Sequence, residues 1–320
     1  MQSKKNIILI IIVVLALMGV CVFSLVNRKN NTPLVKEGFY FDTYISITVY
    51  SPKYEKELNE CMKMCERYEN LFSRTIEGSD IYNINYSNGE YVDVDPETYY
   101  LISKAIEYCE ETDGAADITI APLMDIWGFS NKNSEYVRTL PDDATLSIAT
   151  SHVDYKSVIL DKPNKVKLDD KYSAIDLGFI AKGYIADKLK EYLVSQGVES
   201  AIISLGGNIN VIGLKPDGSE YNIGIKDPDN TSAIISSVSV NDKSVVTSGT
   251  YERYVTIDDK KYHHILDTQT GYPVDNNIKS VTIISDSSLE GDALSTICLI
   301  LGEENSKEIL KKHGASATFY

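Results

Sequence analysis

The sequence predicts an α+β fold, in which mixed and antiparallel sheets pack against helices as a single unit behind one N-terminal transmembrane helix. Helical and strand patterns are segregated along the 320 residues instead of alternating, which is typical of this fold class. After residue 200, short strand patterns follow one another closely, as in a series of hairpins. The first apolar stretch is too long and too uniform for a globular core.

The transmembrane prediction rests on residues 7–26, an uncharged and apolar stretch of 20 residues. As a helix this stretch would rise about 30 Å, the hydrocarbon thickness of a bilayer. Lys4 and Lys5 precede it, and Arg28 and Lys29 follow it. It is either an uncleaved anchor, which we favour, or an export signal that is removed after translocation.

The charge of the chain indicates the side of the membrane on which the folded part lies. The formal net charge of the chain is −15, and the only charged side chains of residues 1–29 are positive. The folded part that follows is therefore more acidic than the whole chain. Anionic lipids of the cytoplasmic leaflet repel so acidic a domain, which favours the cell membrane with the domain outside the cytoplasm. The excess of acidic residues also excludes non-specific nucleic-acid binding. Cys21 leaves a lipoprotein as an alternative, although Met18-Gly19-Val20 is a poor lipobox.

After a linker at residues 30–37, residues 38–320 are predicted to form one domain that begins with a strand. Residues 39–50 alternate as a strand does, and Pro52 then opens a helix with an apolar face. The remaining cysteines fall at apolar positions of helical patterns and predict thiols of the core: Cys61, Cys65, Cys109 and Cys298.

The later elements have clear start and stop signals. Asp95 caps a helix with Pro96 at its first position, and Gly197 ends another that begins near Ile180. Gly302 ends a helix over residues 289–301. Strands are predicted at residues 201–205, 208–212, 221–225, 234–240, 245–247, 278–284 and 315–320, with a hairpin tip at Asp258-Asp259.

Residues 178–183 form a glycine-rich entrance to a helix that can bind phosphate. Free backbone amides at a helix start attract anions together with the helix dipole, and Lys182 adds a point charge. The spacing matches neither the Walker pattern nor the dinucleotide fingerprint, so each glycine can equally be a turn residue.

Asp292 and Thr296 are four residues apart near the start of the helix over 289–301, so their oxygens share one face. A carboxylate and a hydroxyl suit a hard cation such as Mg²⁺. The structural alternative is that Asp292 only stabilises the positive end of the helix while Thr296 packs.

His263 and His264 point to opposite faces if they lie in a strand, so at most one of them can enter a given site. His264 can equally be a structural histidine that is hydrogen-bonded beside Asp267. No Gly-x-Ser-x-Gly elbow and no Cys/His pairing is present, which disfavours hydrolases with a nucleophilic side chain.

Seven polar or glycine-rich segments follow one another along the chain in a recognisable order. They are Phe72-Ser-Arg74 with Ser79-Asp80-Ile81, Asp117-Ile-Thr119 with Trp127-Gly-Phe129, Asp176 to Tyr184, Leu205-Gly-Gly-Asn208, Thr247 to Arg253, His264 to Pro273, and Asp292 to Thr296. Each segment is weak evidence alone. Together, from about Phe39 to the end of the chain, they resemble the FAD:protein FMN transferase family, the ApbE-like flavin transferases.

The resemblance implies an enzyme that binds FAD and Mg²⁺ and transfers FMN to a Ser or Thr hydroxyl of another protein, releasing AMP. It implies Mg²⁺ ligands at Asp292, Thr296 and the main-chain oxygen of Phe179, with Ser295 as a further candidate. It implies FAD contacts from Phe41, Ala115, Ala116, Asp117, Thr119, Asp176, Lys182 and Leu266. His264 stands where the family has a histidine that acts in transfer.

Two departures from the family pattern leave alternatives open. Phe41-Asp42-Thr43 stands in place of Met-Gly-Thr, and Thr250 stands in place of an aspartate. Some members of the family hydrolyse FAD to FMN and AMP, so an FAD pyrophosphatase is an alternative, as is a flavin-binding surface protein without turnover. A transferase here implies membrane-associated or exported acceptor proteins.

Overall fold

The computed structural model describes residues 32–129 and 139–320. The predicted transmembrane stretch at residues 7–26, with Cys21, lies outside these residues, so the anchor stays a prediction. Within the described residues, no helix is both long enough and apolar enough to cross a membrane.

The strands of the described residues form one large sheet and three small ones. In the large sheet the order is β1-β2-β6-β7-β10-β13-β14, and every neighbouring pair is antiparallel. The small sheets are β3-β5-β4 and the hairpins β8-β9 and β11-β12. The strands are β1 (Leu34–Tyr40), β2 (Thr43–Val49), β3 (Val92–Asp93), β4 (Val158–Asp161), β5 (Lys165–Leu168), β6 (Ala201–Leu205), β7 (Asn208–Ile212), β8 (Tyr221–Lys226), β9 (Ile234–Val240), β10 (Ser244–Gly249), β11 (Tyr254–Ile257), β12 (Lys260–His263), β13 (Ser280–Ser285) and β14 (Ser316–Phe319).

Most of the helices cover one face of the large sheet, whereas those at residues 121–126 and 143–150 pack in a separate core with hairpin β11-β12. The predicted α+β class is confirmed. Buried side chains of β2, β6, α1, α3, α6 and α7 share one continuous core, while hairpin β8-β9 packs on the other face against β7 and β10. The helices are α1 (Glu55–Phe72), α2 (Asp80–Asn85), α3 (Pro96–Glu111), α4 (Ala121–Ile126), α5 (Asp143–Thr150), α6 (Ala181–Ser195), α7 (Ser288–Asn305) and α8 (Lys307–His313).

The structure contains the helix cap, the helix break and the buried cysteines that local sequence signals predict. The Asp95 side chain accepts a hydrogen bond from the Glu97 amide at the start of α3. Gly302 has φ 80° and ψ 166°, so the backbone leaves helical geometry there although helical turns continue to Asn305. The four cysteines predicted as core thiols are all buried: Cys61, Cys65, Cys109 and Cys298.

The start of the domain differs from the prediction. Residues 39–50 are not one strand, because the chain turns back at Phe41 and Asp42 to form hairpin β1-β2. Both turn residues have positive φ, 55° and 56°, a conformation usually supplied by Asn or Gly. Without those residues the turn has no clear sequence signal. Strand β1 also begins at Leu34, inside the predicted linker.

Helices α6 and α7 cap each other. The Asp292 carboxylate of α7 accepts a hydrogen bond of 2.8 Å from the Gly183 amide in the first turn of α6. In return, the Asp187 carboxylate of α6 accepts bonds of 2.8 and 3.0 Å from the amides of Ser288 and Leu289. A Cβ atom on Gly183 would lie 2.3 Å from the Ser288 carbonyl oxygen, so only glycine allows this close crossing.

Candidate active site

A cavity of about 670 Å³ opens beside the large sheet. Its wall is built from the β1-β2 turn, the loop before α4, the first turn of α6, hairpin β8-β9, the segments that follow β10 and β12, and the middle of α7. This volume is within the usual range for a ligand site. Elements that are far apart in sequence therefore meet at one concave surface.

Most of the predicted site residues lie on the wall of this cavity. They are Phe41, Ala115, Ala116, Asp117, Asp176, Phe179, Lys182, His264, Leu266 and Thr296. Asp292 lines an adjoining hollow of about 40 Å³, which it shares with Lys182, Thr296 and His264. Thr119 and Ser295 are fully buried and line neither space, so their side chains act through neighbours.

Asp292 is a buried carboxylate with incomplete pairing. Its Oδ2 accepts the bond from the Gly183 amide, while its Oδ1 has Lys182 Nζ at 3.9 Å, beyond hydrogen-bond distance. Burial raises the pKa of Asp292, because removing a carboxylate from water disfavours its charged form, and the Lys182 charge opposes this shift. Among the described residues, none donates a hydrogen bond to the carbonyl oxygen of Phe179.

Hydroxyl groups connect the base of the hollow. The Ser248 hydroxyl lies 2.7 Å from the Ser295 hydroxyl and 3.0 Å from the Thr296 hydroxyl. Ser295 also donates to the main-chain oxygen of Asp292 at 3.0 Å. Ser295 therefore fixes the backbone of the helix, and Thr296 is the hydroxyl that reaches the cavity.

The loop at residues 114–119 is held open by Asp117. Its Oδ1 accepts bonds of 2.7 and 2.6 Å from the amide and hydroxyl of Thr119, and its Oδ2 accepts one of 2.8 Å from the Tyr155 amide. Burial raises the pKa of Asp117, and the bonds from Thr119 oppose that shift. With the carboxylate occupied inside the loop, the small side chains of Ala115 and Ala116 leave room for a ligand.

Asp176 and Lys182 frame the start of α6. Asp176 Oδ1 accepts a bond of 2.7 Å from the Gly178 amide, and its Oδ2 pairs with Arg74 Nε at 2.9 Å. Lys182 Nζ donates to the Gly178 carbonyl at 3.2 Å. Most of the amides predicted to bind phosphate already have partners in the protein, because those of Ile180 and Ala181 donate to the Leu177 carbonyl and that of Gly183 donates to Asp292. The Lys182 charge is the part of the predicted phosphate site that remains available to a ligand.

His264 lies on the cavity wall, and its ring is not hydrogen-bonded to Asp267, the neighbour named in the structural alternative. The Asp267 carboxylate instead accepts bonds from the amides of Gln269 and Thr270 in its own turn. His264 Nδ1 lies 3.1 Å from the Arg253 carbonyl, which can only accept, so Nδ1 carries the proton and Nε2 has a free lone pair. Burial and the Arg253 charge lower the pKa of His264, so the imidazole is neutral at pH 7. His263 turns away and bonds the Val274 carbonyl.

Among the described residues, six charged residues of the wall were not predicted as site residues: Asp42, Glu69, Arg74, Lys226, Glu252 and Arg253. Arg74 lay within a recognised segment, but its partner Asp176 is 102 positions away. The sequence signal for Glu252 was its position between Tyr251 and Arg253, directly after the Thr-Ser-Gly turn. No sequence signal indicated Lys226 as a site residue, apart from its place at the end of a strand.

Comparisons with known proteins agree on one family. The model of the ApbE family matches residues 41–319. The FAD:protein FMN transferase of Klebsiella pneumoniae is 39% identical over 255 residues, covering 78% of this chain and 77% of that protein. The protein of the same name from Treponema pallidum is 33% identical and covers 94% and 89%.

Solved structures show the same fold. The crystal structure of the ApbE protein from Thermotoga maritima superposes with a TM-score of 0.82 at 34% identity, covering 90% of this chain and 94% of that one. The flavin transferase ApbE from Vibrio cholerae has a TM-score of 0.80 at 26% identity, with coverage of 90% and 93%.

Proposed function

The chain belongs to the ApbE family, and on that premise we propose that it is an FAD:protein FMN transferase. Its substrate is FAD, and its acceptor is another protein. The observation that carries this proposal is the cavity in which Lys182, Thr296 and His264 meet beside Asp292. We infer further that transfer depends on Mg²⁺ and ends on a Ser or Thr hydroxyl.

The donor atoms at the hollow fit Mg²⁺. The buried Asp292 carboxylate, whose Oδ1 lies 3.9 Å from Lys182 Nζ, the Thr296 hydroxyl and the unbonded Phe179 carbonyl are hard oxygen donors. Within the described residues, no three His, Cys, Asp or Glu side chains form a metal cluster, so the remaining ligands would be phosphate oxygens and water. Mg²⁺ bound there would neutralise charge on the diphosphate.

The chain's own residues serve the reaction in distinct ways. The Lys182 ammonium binds phosphate oxygens. The acceptor hydroxyl oxygen forms a bond to the phosphorus of the FMN half, the bond from that phosphorus to the bridging oxygen breaks, and AMP leaves with that oxygen. Neutral His264 accepts the hydroxyl proton at Nε2. Among the side chains of the wall, none needs to form a covalent intermediate.

The acceptors are membrane-associated or exported proteins if residues 7–26 anchor the chain with its domain outside the cytoplasm. The length of that stretch and the acidity of the domain support this location.

Incubation of the soluble domain with FAD, Mg²⁺ and host membrane proteins tests the proposal. A fluorescent flavin band that survives denaturation, and that depends on both FAD and Mg²⁺, is the expected result. Free FMN and AMP without any labelled protein would instead identify an FAD pyrophosphatase. Bound FAD without any product would identify a flavin-binding protein.

A further inference from the structure

Lys226 is a cation on the cavity wall that the proposed reaction has not yet used. In the described part of the chain, four cationic side chains line the cavity, and three have partners: Arg74 pairs with Asp176, Lys182 donates to the Gly178 carbonyl, and Arg253 donates to the Phe129 carbonyl. Among the described residues, none forms an ion pair or a side-chain hydrogen bond with Lys226.

The aspartates that follow Lys226 in the β8-β9 turn are already occupied. Asp227 accepts a bond of 2.8 Å from the Asp229 amide, and Asp229 forms an ion pair with Lys279. The Asp227 amide closes the turn on the Ala233 carbonyl at 3.0 Å. The turn is therefore ordered without the charge of Lys226, which remains available to a ligand.

An irregularity in the hairpin accompanies the position of Lys226. Ile225 faces Ser236 and Lys226 faces Ile234, so Ile235 is an extra residue in β9. A β-bulge of this kind increases the local twist and redirects the side chains beside it, and bulges are common next to active sites. Lys226 lies at the end of β8, beside this bulge, and lines the cavity.

Lys226 and Lys182 line the same cavity, and both act electrostatically on the Glu252 carboxylate of its wall. Removal from bulk water raises the pKa of Glu252, the Lys182 charge opposes this, Asp292 adds to it, and Lys226 opposes it in turn. Glu252 lines both the cavity and the hollow that contains Asp292. The charges of Lys182, Lys226 and Asp292 therefore all act on the Glu252 carboxylate.

We propose that Lys226 is a second phosphate-binding lysine, which contacts the diphosphate of the substrate from hairpin β8-β9 while Lys182 contacts it from α6. The inference rests on the proposed use of FAD as the substrate. A dinucleotide diphosphate carries about two negative charges, and Lys182 already lies beside the Asp292 carboxylate. A second cation from another element completes the neutralisation and closes the hairpin side of the site.

Binding measurements on the full-length protein in detergent, without an acceptor protein, test this role. Lys226→Gln should weaken FAD binding by about ten- to a hundred-fold, as expected for the loss of a charge-assisted hydrogen bond. Lys226→Arg should keep FAD affinity within a few fold, because a cation remains. Binding of riboflavin, which has no phosphate, should be the same in all variants.

Lys243→Gln is the matched control, because it removes one positive charge from a surface lysine that pairs with Asp286 outside the cavity. It should leave FAD binding unchanged. Equal FAD affinity in Lys226→Gln and the parent, or an equal loss of riboflavin binding, would overturn the inference. A parent protein that binds FAD through Lys226 but labels no acceptor contradicts only the proposed transfer. A parent that does not bind FAD overturns both.

Discussion

The Asp292 carboxyl serves the fold and the proposed chemistry through different oxygens. Oδ2 caps helix α6 at Gly183, and Oδ1 faces Lys182 without a hydrogen bond. Asp292→Asn keeps an acceptor for Gly183 but removes the charge that would attract Mg²⁺. We expect Mg²⁺-dependent transfer to fall by at least about 10²-fold, since a metal supplies several kcal/mol of charge stabilisation. Single-turnover flavin transfer, with calorimetric Mg²⁺ binding, measures the loss.

The same substitution should change how stability depends on pH in metal-free buffer. Burial raises the folded-state pKa of Asp292 above its unfolded value. This carboxyl therefore stabilises the fold most at low pH, and the contribution is lost as the pH rises through the folded-state pKa. Melting temperatures in EDTA should fall less with rising pH in Asp292→Asn than in the parent. Parallel curves for the two proteins would contradict the assigned burial effect.

His264 is predicted to act in proton transfer. His264→Ala should lower the single-turnover rate of FMN transfer by about 10²–10⁴-fold, the usual contribution of a general base, while FAD affinity changes much less. His263→Ala is the control, because that ring bonds the Val274 carbonyl instead of lining the cavity. A normal rate in His264→Ala, or a comparable loss in His263→Ala, would show that the wrong histidine was assigned.

Among the secondary-structure elements, the crossing of α6 and α7 determines the geometry of the hollow that Asp292 lines. Gly183→Ala places a methyl group against the Ser288 carbonyl, and neither backbone can move without the other. We expect a loss of about 1–3 kcal/mol in the free energy of unfolding, together with reduced transfer because Asp292 shifts. Glu191→Ala on the exposed side of α6 should change stability by about 0.5 kcal/mol or less. Urea unfolding and transfer assays compare the two variants.

Elements with local signals could be read from the sequence, whereas those defined by distant partners could not. The cap at Asp95, the break at Gly302 and the tip at Asp258-Asp259 each depend on a few neighbouring residues. The β1-β2 turn lacks such a signal, because Phe41 and Asp42 adopt positive φ without glycine. Strands β3 to β5 are short, and the pairing of β3 with β5 joins residues far apart in the chain.

At the scale of the whole molecule, segment order identified the family, but contacts across the chain decided how the site works. The sequence indicated Asp176 and Lys182 as site residues, yet the Arg74–Asp176 ion pair joins segments that no local pattern connects. Strand β10 lies between β7 and β13, so the large sheet joins widely separated parts of the chain. Because the site is assembled from such long-range contacts, Lys226 and Glu252 could not be predicted as site residues from local sequence patterns.

The anchor is also a property of the whole molecule. If residues 7–26 hold the chain in a membrane with its acidic domain outside, protease added to intact cells should remove the domain and release it from the membrane fraction. A cytoplasmic protein probed in the same samples should stay intact. Full protection of the domain, with cleavage only after lysis, would reverse the predicted orientation.

The reciprocal caps between α6 and α7 affect how substitutions in the evolution of such chains should be interpreted. Asp187 and Asp292 each hold the start of the other's helix, so random drift at either position is penalised through folding. A descendant that had abandoned flavin chemistry would still need a hydrogen-bond acceptor at position 292, which Asp or Asn supplies. Thr296 and His264 make no comparable cap, and relaxed selection would erase them first. Divergence at those two positions is therefore the better record of when a lineage lost the enzyme.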